Sequence, residues 1–110
     1  MISLDGFRAD YLDRGLTPRL SRVVREGVRA EWMTPTYPSL TFPNHYTVVT
    51  GLHPDHHGIV HNTMRDAKLG AFSLGNREAV GNGAWWGGEP IWVRAERAGL
   101  PTATYFWPGS

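Results

Sequence analysis

Leu20, Val23, Val24 and Val28 recur at the spacing that lays apolar side chains along one stripe of a helix, with Arg19, Arg22 and Arg25 between them. Thr17-Pro18 in front offers a capping hydroxyl and a proline suited to the first helical position, and Gly27 offers a stop. A helix with Thr17 as N-cap is expected there. Upstream, the short apolar run Met1-Ile2-Ser3-Leu4 ends at Asp5-Gly6 and reads as a strand running into a turn. Phe7 to Leu12 is expected to form a helical turn that packs Phe7 and Tyr11. Arg29 to Met33 reads as a second strand. Two prolines keep Thr34 to Leu40 extended or looped.

A further helix is expected from Phe42 or Pro43 to about Thr50, with Pro43 at its first position and Gly51 as its stop. The β-branched run Tyr46 to Thr50 also fits a strand, and the flanking proline and glycine decide for helix. His53 to Gly58 reads as a loop, and Ile59-Val60 as a brief extended stretch that delivers His61 and Asn62. Six glycines and little periodicity make Thr63 to Gly88 irregular. Pro90 opens a last helix, Ile91 to Ala98, closed by Gly99, and Pro101 to Trp107 reads as a final strand. The order β-α-β-α-irregular-α-β suits an α/β sandwich. Strands at both extremes suggest a segment of a larger α/β protein, one part of a single domain.

Composition narrows the class without naming it. The 110 residues suffice for one small domain, and 41% hydrophobic with 19% charged is ordinary for globular sequence. A net charge of +1 gives no bulk electrostatic reason to bind nucleic acid or a membrane surface. No segment has the length of a membrane-spanning helix, and the start lacks both a basic n-region and a long apolar h-region. With no cysteine, disulfides and thiolate chemistry are excluded.

Two residues suggest chemistry. Asp5 falls at the carboxyl end of the first expected strand, where open α/β sheets keep their ligand crevices. Thr41 falls at a helix start, a favourable place for an anionic phosphoryl group. Each has an ordinary alternative, Asp5 as a turn residue and Thr41 as a plain N-cap. Together they gain weight, because a threonine hydroxyl needs a base or a metal to act as a nucleophile, and a carboxylate-held divalent ion supplies that. Asn62 can donate to a phosphate oxygen as charge builds, or be an ordinary turn residue. Phe42, beside Thr41, offers its ring to a flat group such as a nucleobase. His53, His56 and His57, flanked by His45 and His61, match no defined zinc spacing, and hydrogen-bonding roles suit them better. Trp85, Trp86, Trp92 and Trp107 are read as packing residues.

Several ordered motifs then point one way. Ile2-Ser3-Leu4-Asp5-Gly6-Phe7-Arg8, Pro35-Thr36-Tyr37-Pro38, Thr41-Phe42-Pro43-Asn44-His45-Tyr46, Val49-Thr50-Gly51-Leu52-His53-Pro54 and His57-Gly58-Ile59-Val60-His61-Asn62 resemble the N-terminal part of nucleotide pyrophosphatase/phosphodiesterases, members of the alkaline phosphatase superfamily. Trp85-Trp86-Gly87-Gly88-Glu89-Pro90-Ile91-Trp92 and Phe106-Trp107-Pro108-Gly109-Ser110 are similar too. The resemblance implies the first part of an alkaline-phosphatase-like three-layer α/β sandwich, incomplete in this chain. It implies Asp5 as the first metal-ligand aspartate, and Thr41 as nucleophile and ligand of the same zinc. It implies Phe42 against the nucleobase, and Asn62 on a phosphate oxygen together with the backbone N–H of Phe42 or Thr41. None of the five histidines falls at a zinc-ligand position of the family.

By the same resemblance the activity is hydrolysis of nucleotide phosphodiester or pyrophosphate bonds through a phospho-threonine, with two zinc ions in the full-length protein. The other zinc ligands are expected beyond residue 110, and the isolated chain is expected to be inactive. A small-molecule nucleotide or phosphodiester is the implied partner, and the implied compartments are periplasmic, secreted or membrane-anchored. Three alternatives stay open: a choline phosphodiester, a phosphomonoester, and a non-catalytic fragment or degenerate binding module.

Overall fold

A computed structural model describes all residues, 1–110, as two compact units, Met1–Thr34 and Pro35–Ser110. In the first unit the Asp5-Gly6 pair forms the expected turn. The Phe7 N–H donates to the Leu4 carbonyl at 3.3 Å, and Gly6 takes φ +67°, which its missing Cβ makes easy. A 3-10 helix, Ala9–Arg14, follows. The Phe7 and Tyr11 rings meet edge-on with centroids 5.4 Å apart, as expected, and the Arg14 guanidinium lies 4.0 Å over Tyr11. Arg29 closes the unit with its planar fork. It donates to both Asp13 oxygens at 2.8 and 3.0 Å and to the Ala9 carbonyl at 3.0 Å. The hydrogen bond from Arg29 holds the Asp13 carboxyl below its ordinary range.

Helix α1, Pro18–Glu26, begins and ends where proline and glycine place it, but Thr17 does not cap it. Thr17 has ψ 67° rather than the extended value of a capping residue, and its Oγ1 is buried without a partner. The apolar stripe is also not buried as expected, since Val23 is 66% exposed and no residue of α1 is fully covered. The strands expected at 1–4, 29–33 and 101–107 are absent. A strand exists through its neighbour's ladder, and no segment of these 110 residues pairs with any of the three. The backbone after Leu100 bonds locally instead, with the Thr102 N–H and hydroxyl both donating to the Glu96 carboxylate at 2.7 and 3.0 Å.

The second unit holds most of the structure. Its elements are helix α2, Thr41–Thr50, a single turn α3, Pro54–His57, an antiparallel hairpin of β1, Thr63–Asp66, and β2, Gly70–Ser73, then α4, Arg77–Gly81, a 3-10 turn Gly83–Trp85, and α5, Ile91–Arg97. The hairpin pairs Thr63 with Ser73, Met64 with Phe72, Arg65 with Ala71 and Asp66 with Gly70. Its turn is built by Asp66, whose Oδ1 accepts from the Lys68 and Leu69 amides at 2.7 and 2.9 Å, and those bonds lower its pKa. The glycine-rich stretch, expected to be irregular, is thus partly regular. The loop expected at His53–Gly58 contains α3, ended by Gly58 at φ +85°. The chain is an α/β fragment, mixed helix with a small antiparallel sheet.

Phe72 points inward from the hairpin and is fully buried with Tyr46, Val49, Ile59, Ala79 and Trp85 around it. Complete burial of such a ring is worth about 1.5–3 kcal/mol. Trp86, Trp92 and Trp107 pack against this core, in the structural role expected of them. Gly109 is required at its place, because a Cβ there would come within 2.8 Å of the Trp86 ring and 2.9 Å of the Tyr46 ring.

The two cap positions lead to opposite expectations. Asn76 does cap its helix, accepting from the Ala79 amide at 3.1 Å. Urea denaturation is expected to show a cost of about 1 kcal/mol for Asn76→Ala. Thr17→Ala removes a buried hydroxyl that bonds to nothing, so it is expected to cost less than roughly 0.5 kcal/mol. A larger loss for Thr17→Ala than for Asn76→Ala would contradict this account of both helix starts.

Candidate functional site

Every α-helix opens with four amide groups that its own hydrogen bonding cannot use. In α2 the N-cap is Leu40, whose carbonyl accepts the first helical bond, from the Asn44 amide at 3.1 Å. Thr41 is therefore the first helical residue rather than the cap, and Pro43 is the third rather than the first. Proline remains well placed, since it has no N–H to leave unserved. The Leu40 amide donates back to the Pro38 carbonyl at 2.8 Å. The Phe42 amide donates to Asn62 Oδ1 at 3.0 Å, across twenty residues of sequence.

That last bond fixes a side chain as well as a helix. A backbone N–H can only donate, so the Asn62 atom facing it is the carbonyl oxygen. The Asn62 Nδ2 group, with its two hydrogens, is turned to the other side. Asn62 and Phe42 are half-buried and so is Thr41. Three of the four expected site residues thus come together at one helix start. Asp5 is an exposed turn residue of the first unit.

The loop before Thr41 is held by a residue that the sequence reading did not single out. Asn44 accepts from the Thr36 amide at 2.8 Å and donates Nδ2 to the carbonyls of Pro38 and Leu40 at 3.1 and 2.9 Å. It thereby spans the whole turn, including the cis Tyr37–Pro38 peptide, from one position inside the helix. The only sequence signal for this was an asparagine close behind a proline-rich loop. His45 has a hydrogen-bonding role at the same end, its Nδ1 donating to the Thr41 carbonyl at 2.7 Å. Its ring stands edge-on to Trp107, whose Nε1 donates to the His45 carbonyl at 3.2 Å.

Phe42 is built into the core on one side. Its ring lies 5.9 Å from Phe72 at 67° and 5.8 Å from Trp86 at 44°. Such contacts fix the ring in place by about 0.5–1.5 kcal/mol each beyond area burial. The remaining histidines divide as their hydrogen bonds dictate. His53 Nδ1 lies 3.2 Å from the Thr36 hydroxyl, and His56 is exposed beside Asp55 at 2.9 Å. The hydrogen bond from His56 lowers the Asp55 pKa. His57 points the opposite way and is completely buried. An open groove of about 580 Å³ between Thr36, Tyr37, His53, Asp55 and His56 does not include Thr41, Phe42 or Asn62.

No three His, Asp or Glu side chains converge to hold a metal ion. The Asp5 carboxylate and Thr41 hydroxyl are oxygen donors of a kind zinc accepts, but two donors fall short of the four that a tetrahedral site requires. These residues do not make a metal centre by themselves.

The comparisons with known proteins agree with the motifs. The family model described as type I phosphodiesterase / nucleotide pyrophosphatase matches residues 1–110. The chain is 51% identical to human ectonucleotide pyrophosphatase/phosphodiesterase family member 1 and 50% identical to the bovine family member 3, over its whole length. It is also 50% identical, over its whole length, to the venom phosphodiesterase of Naja atra. The chain spans only 12%, 13% and 14% of those three relatives. Residues 1–110 belong to the type I phosphodiesterase / nucleotide pyrophosphatase family, a family of hydrolases.

Proposed function

We propose that this chain carries the nucleophile and its oxyanion donor for hydrolysis of a nucleotide phosphodiester or pyrophosphate. The observation that supports it is the bond from the Phe42 amide to Asn62 Oδ1, beside Thr41 at the start of α2. Thr41 Oγ1 gives its proton to solvent water and attacks phosphorus, and the new O–P bond forms as the leaving oxygen departs with the electron pair of the bond that breaks. The product of this step is a phospho-threonine whose phosphorus still carries the nucleoside, and the freed leaving group. Water then attacks the same phosphorus, releasing a nucleoside monophosphate and restoring the threonine. As the equatorial oxygens gain charge, Asn62 Nδ2 donates to one of them from a fixed position. The helix start adds a favourable field for the same charge.

The fixed ring of Phe42 offers its uncovered side to the base, which is how the family's nucleotide substrates would be held. Asp5 and Thr41 would be two of the ligands for a zinc pair, with the others supplied from elsewhere in the protein. Such ions would lower the pKa of the attacking hydroxyl and neutralise developing charge.

Two substitutions test these roles in the full protein with a nucleotide diester. Thr41→Ala is expected to abolish turnover while Thr41→Ser keeps part of it. Robust turnover by the alanine variant would remove Thr41 from the reaction. Asn62→Ala is expected to lower turnover by roughly two to three orders of magnitude. Asn62→Asp separates bracing from catalysis, because its carboxylate still accepts from the Phe42 amide but cannot donate. It is expected to melt like the native protein and to lose at least as much turnover as Asn62→Ala. A loss of less than a few-fold in either would leave Asn62 as a structural residue only.

A further inference from the structure

His57 is the one polar or charged residue of the chain that is fully buried, with 0% exposure. Both of its ring nitrogens are used. Nδ1 accepts from the Ile59 amide at 3.1 Å, so it carries no proton. The ring is then neutral with its proton on Nε2, which donates to the Thr47 hydroxyl at 3.0 Å. The ring stands edge-on to Tyr46 at 5.1 Å. The backbone of the same residue accepts from the Gly87 amide at 2.8 Å, an approach that a Cβ at Gly87 would crowd at 3.0 Å. One residue thus joins three segments: the middle of α2, the stretch leading to Asn62, and the turn at Gly87.

Asn62 lies three residues after Ile59, and Ile59 is itself fully buried. Fixing Thr47 fixes the helix that carries Phe42, and fixing the Ile59 amide fixes the stretch that carries Asn62. We propose that neutral His57 is a positioning residue, which sets Asn62 against the Phe42 amide by gripping Thr47 with one ring nitrogen and Ile59 with the other. It deepens the reading of Thr41 and Asn62 given above and, for its kinetic consequence, rests on it.

Burial holds the His57 pKa below the ordinary 6.5, opposed by backbone contacts including Pro43 and by the Asp55 charge, and aided by His53. Tyr46, the other titratable group against the ring, has its own pKa raised by burial and stays neutral. Protonation would place an Nδ1–H donor against the Ile59 N–H donor and end the grip. Below about pH 6.5 the unfolded chain binds a proton at this residue that the native chain refuses. Stability contributed by His57 is therefore complete above that pH and falls as acid carries the protein down toward the native pKa.

Nitrogen-15 NMR of the His57 ring and amide spectra of Phe42 and the Asn62 side chain test the proposal. The native ring is expected to show a bare Nδ1 and a protonated Nε2 at pH 7. As acid titrates His57, the Phe42 amide and Asn62 side-chain signals are expected to shift with it. His57→Gln keeps a donor for Thr47 but loses the Ile59 acceptor, and is expected to displace both signals. In the full protein it should lower kcat by roughly 10-fold to 100-fold with little change in KM. His57→Asn presents an acceptor near the Nδ1 position and should recover part of that loss. A protonated Nδ1 at pH 7, or unmoved Phe42 and Asn62 signals in folded His57→Gln, would overturn the proposal. If His57→Gln does not fold, the acid titration of the native protein decides in its place. Turnover surviving Thr41→Ala would remove the catalytic reading alone, since the NMR outcomes do not depend on it.

Discussion

The amide of Phe42 has no partner inside its own helix, and the rest of the site follows from how that need is met. A side-chain oxygen twenty residues away accepts its hydrogen at 3.0 Å. A bond of this kind adds only about 0.5–1.5 kcal/mol net, and leaving a fully buried donor unmet would cost about 1–3 kcal/mol, an upper bound for this half-buried amide. The structure therefore has a reason to keep Asn62 in place before any chemistry is considered. The same bond settles which end of the Asn62 amide faces away from the helix. In the proposed reaction that end is the donor to phosphate, and the bond to Phe42 limits the reorganisation it would need.

The surroundings of that bond are stiff on each side. Asn44 ties the proline-rich loop to α2 with three hydrogen bonds, so the chain enters Thr41 along one path. Beneath it, Phe42 is wedged against Phe72 and Trp86, and Phe72 is carried by the hairpin. His57 is bonded to Thr47 in the middle of α2 and to the Ile59 amide on the stretch that leads to Asn62. Precision here comes from side chains such as Asn44 and His57, whose polar side-chain atoms are all bonded.

Local signals were legible in the sequence, and those requiring a partner were not. Pro18 and Gly27 marked α1, and Gly51 marked the end of α2, because these residues act through their own backbone. Thr41, Phe42 and Asn62 were singled out as chemistry, and the fold brings them to one helix start. What failed depended on distant neighbours. Residues 1–4 and 29–33 had strand composition, but a ladder needs another strand, and none in this chain pairs with them. Thr17 had the identity of a cap, but its backbone angle turns the hydroxyl away. The hairpin at 63–73 was hidden among glycines because its turn is written by one aspartate, Asp66, rather than by a familiar turn pair. His57 was expected to hydrogen-bond and does, but only its partners, like those of Asn44, reveal which segments it joins.

Family membership and local geometry meet at a single hydroxyl. The account requires that phosphorus become covalently attached to Thr41 during turnover, with Asn62 beside it. Acid quenching of the full protein during steady hydrolysis of a nucleotide diester, followed by peptide mass spectrometry, reads that directly. The account predicts one phosphoryl-bearing adduct on the peptide containing Thr41, located on that residue. An adduct on a different residue, or none above background while hydrolysis proceeds and the adduct is known to survive the quench, would contradict it.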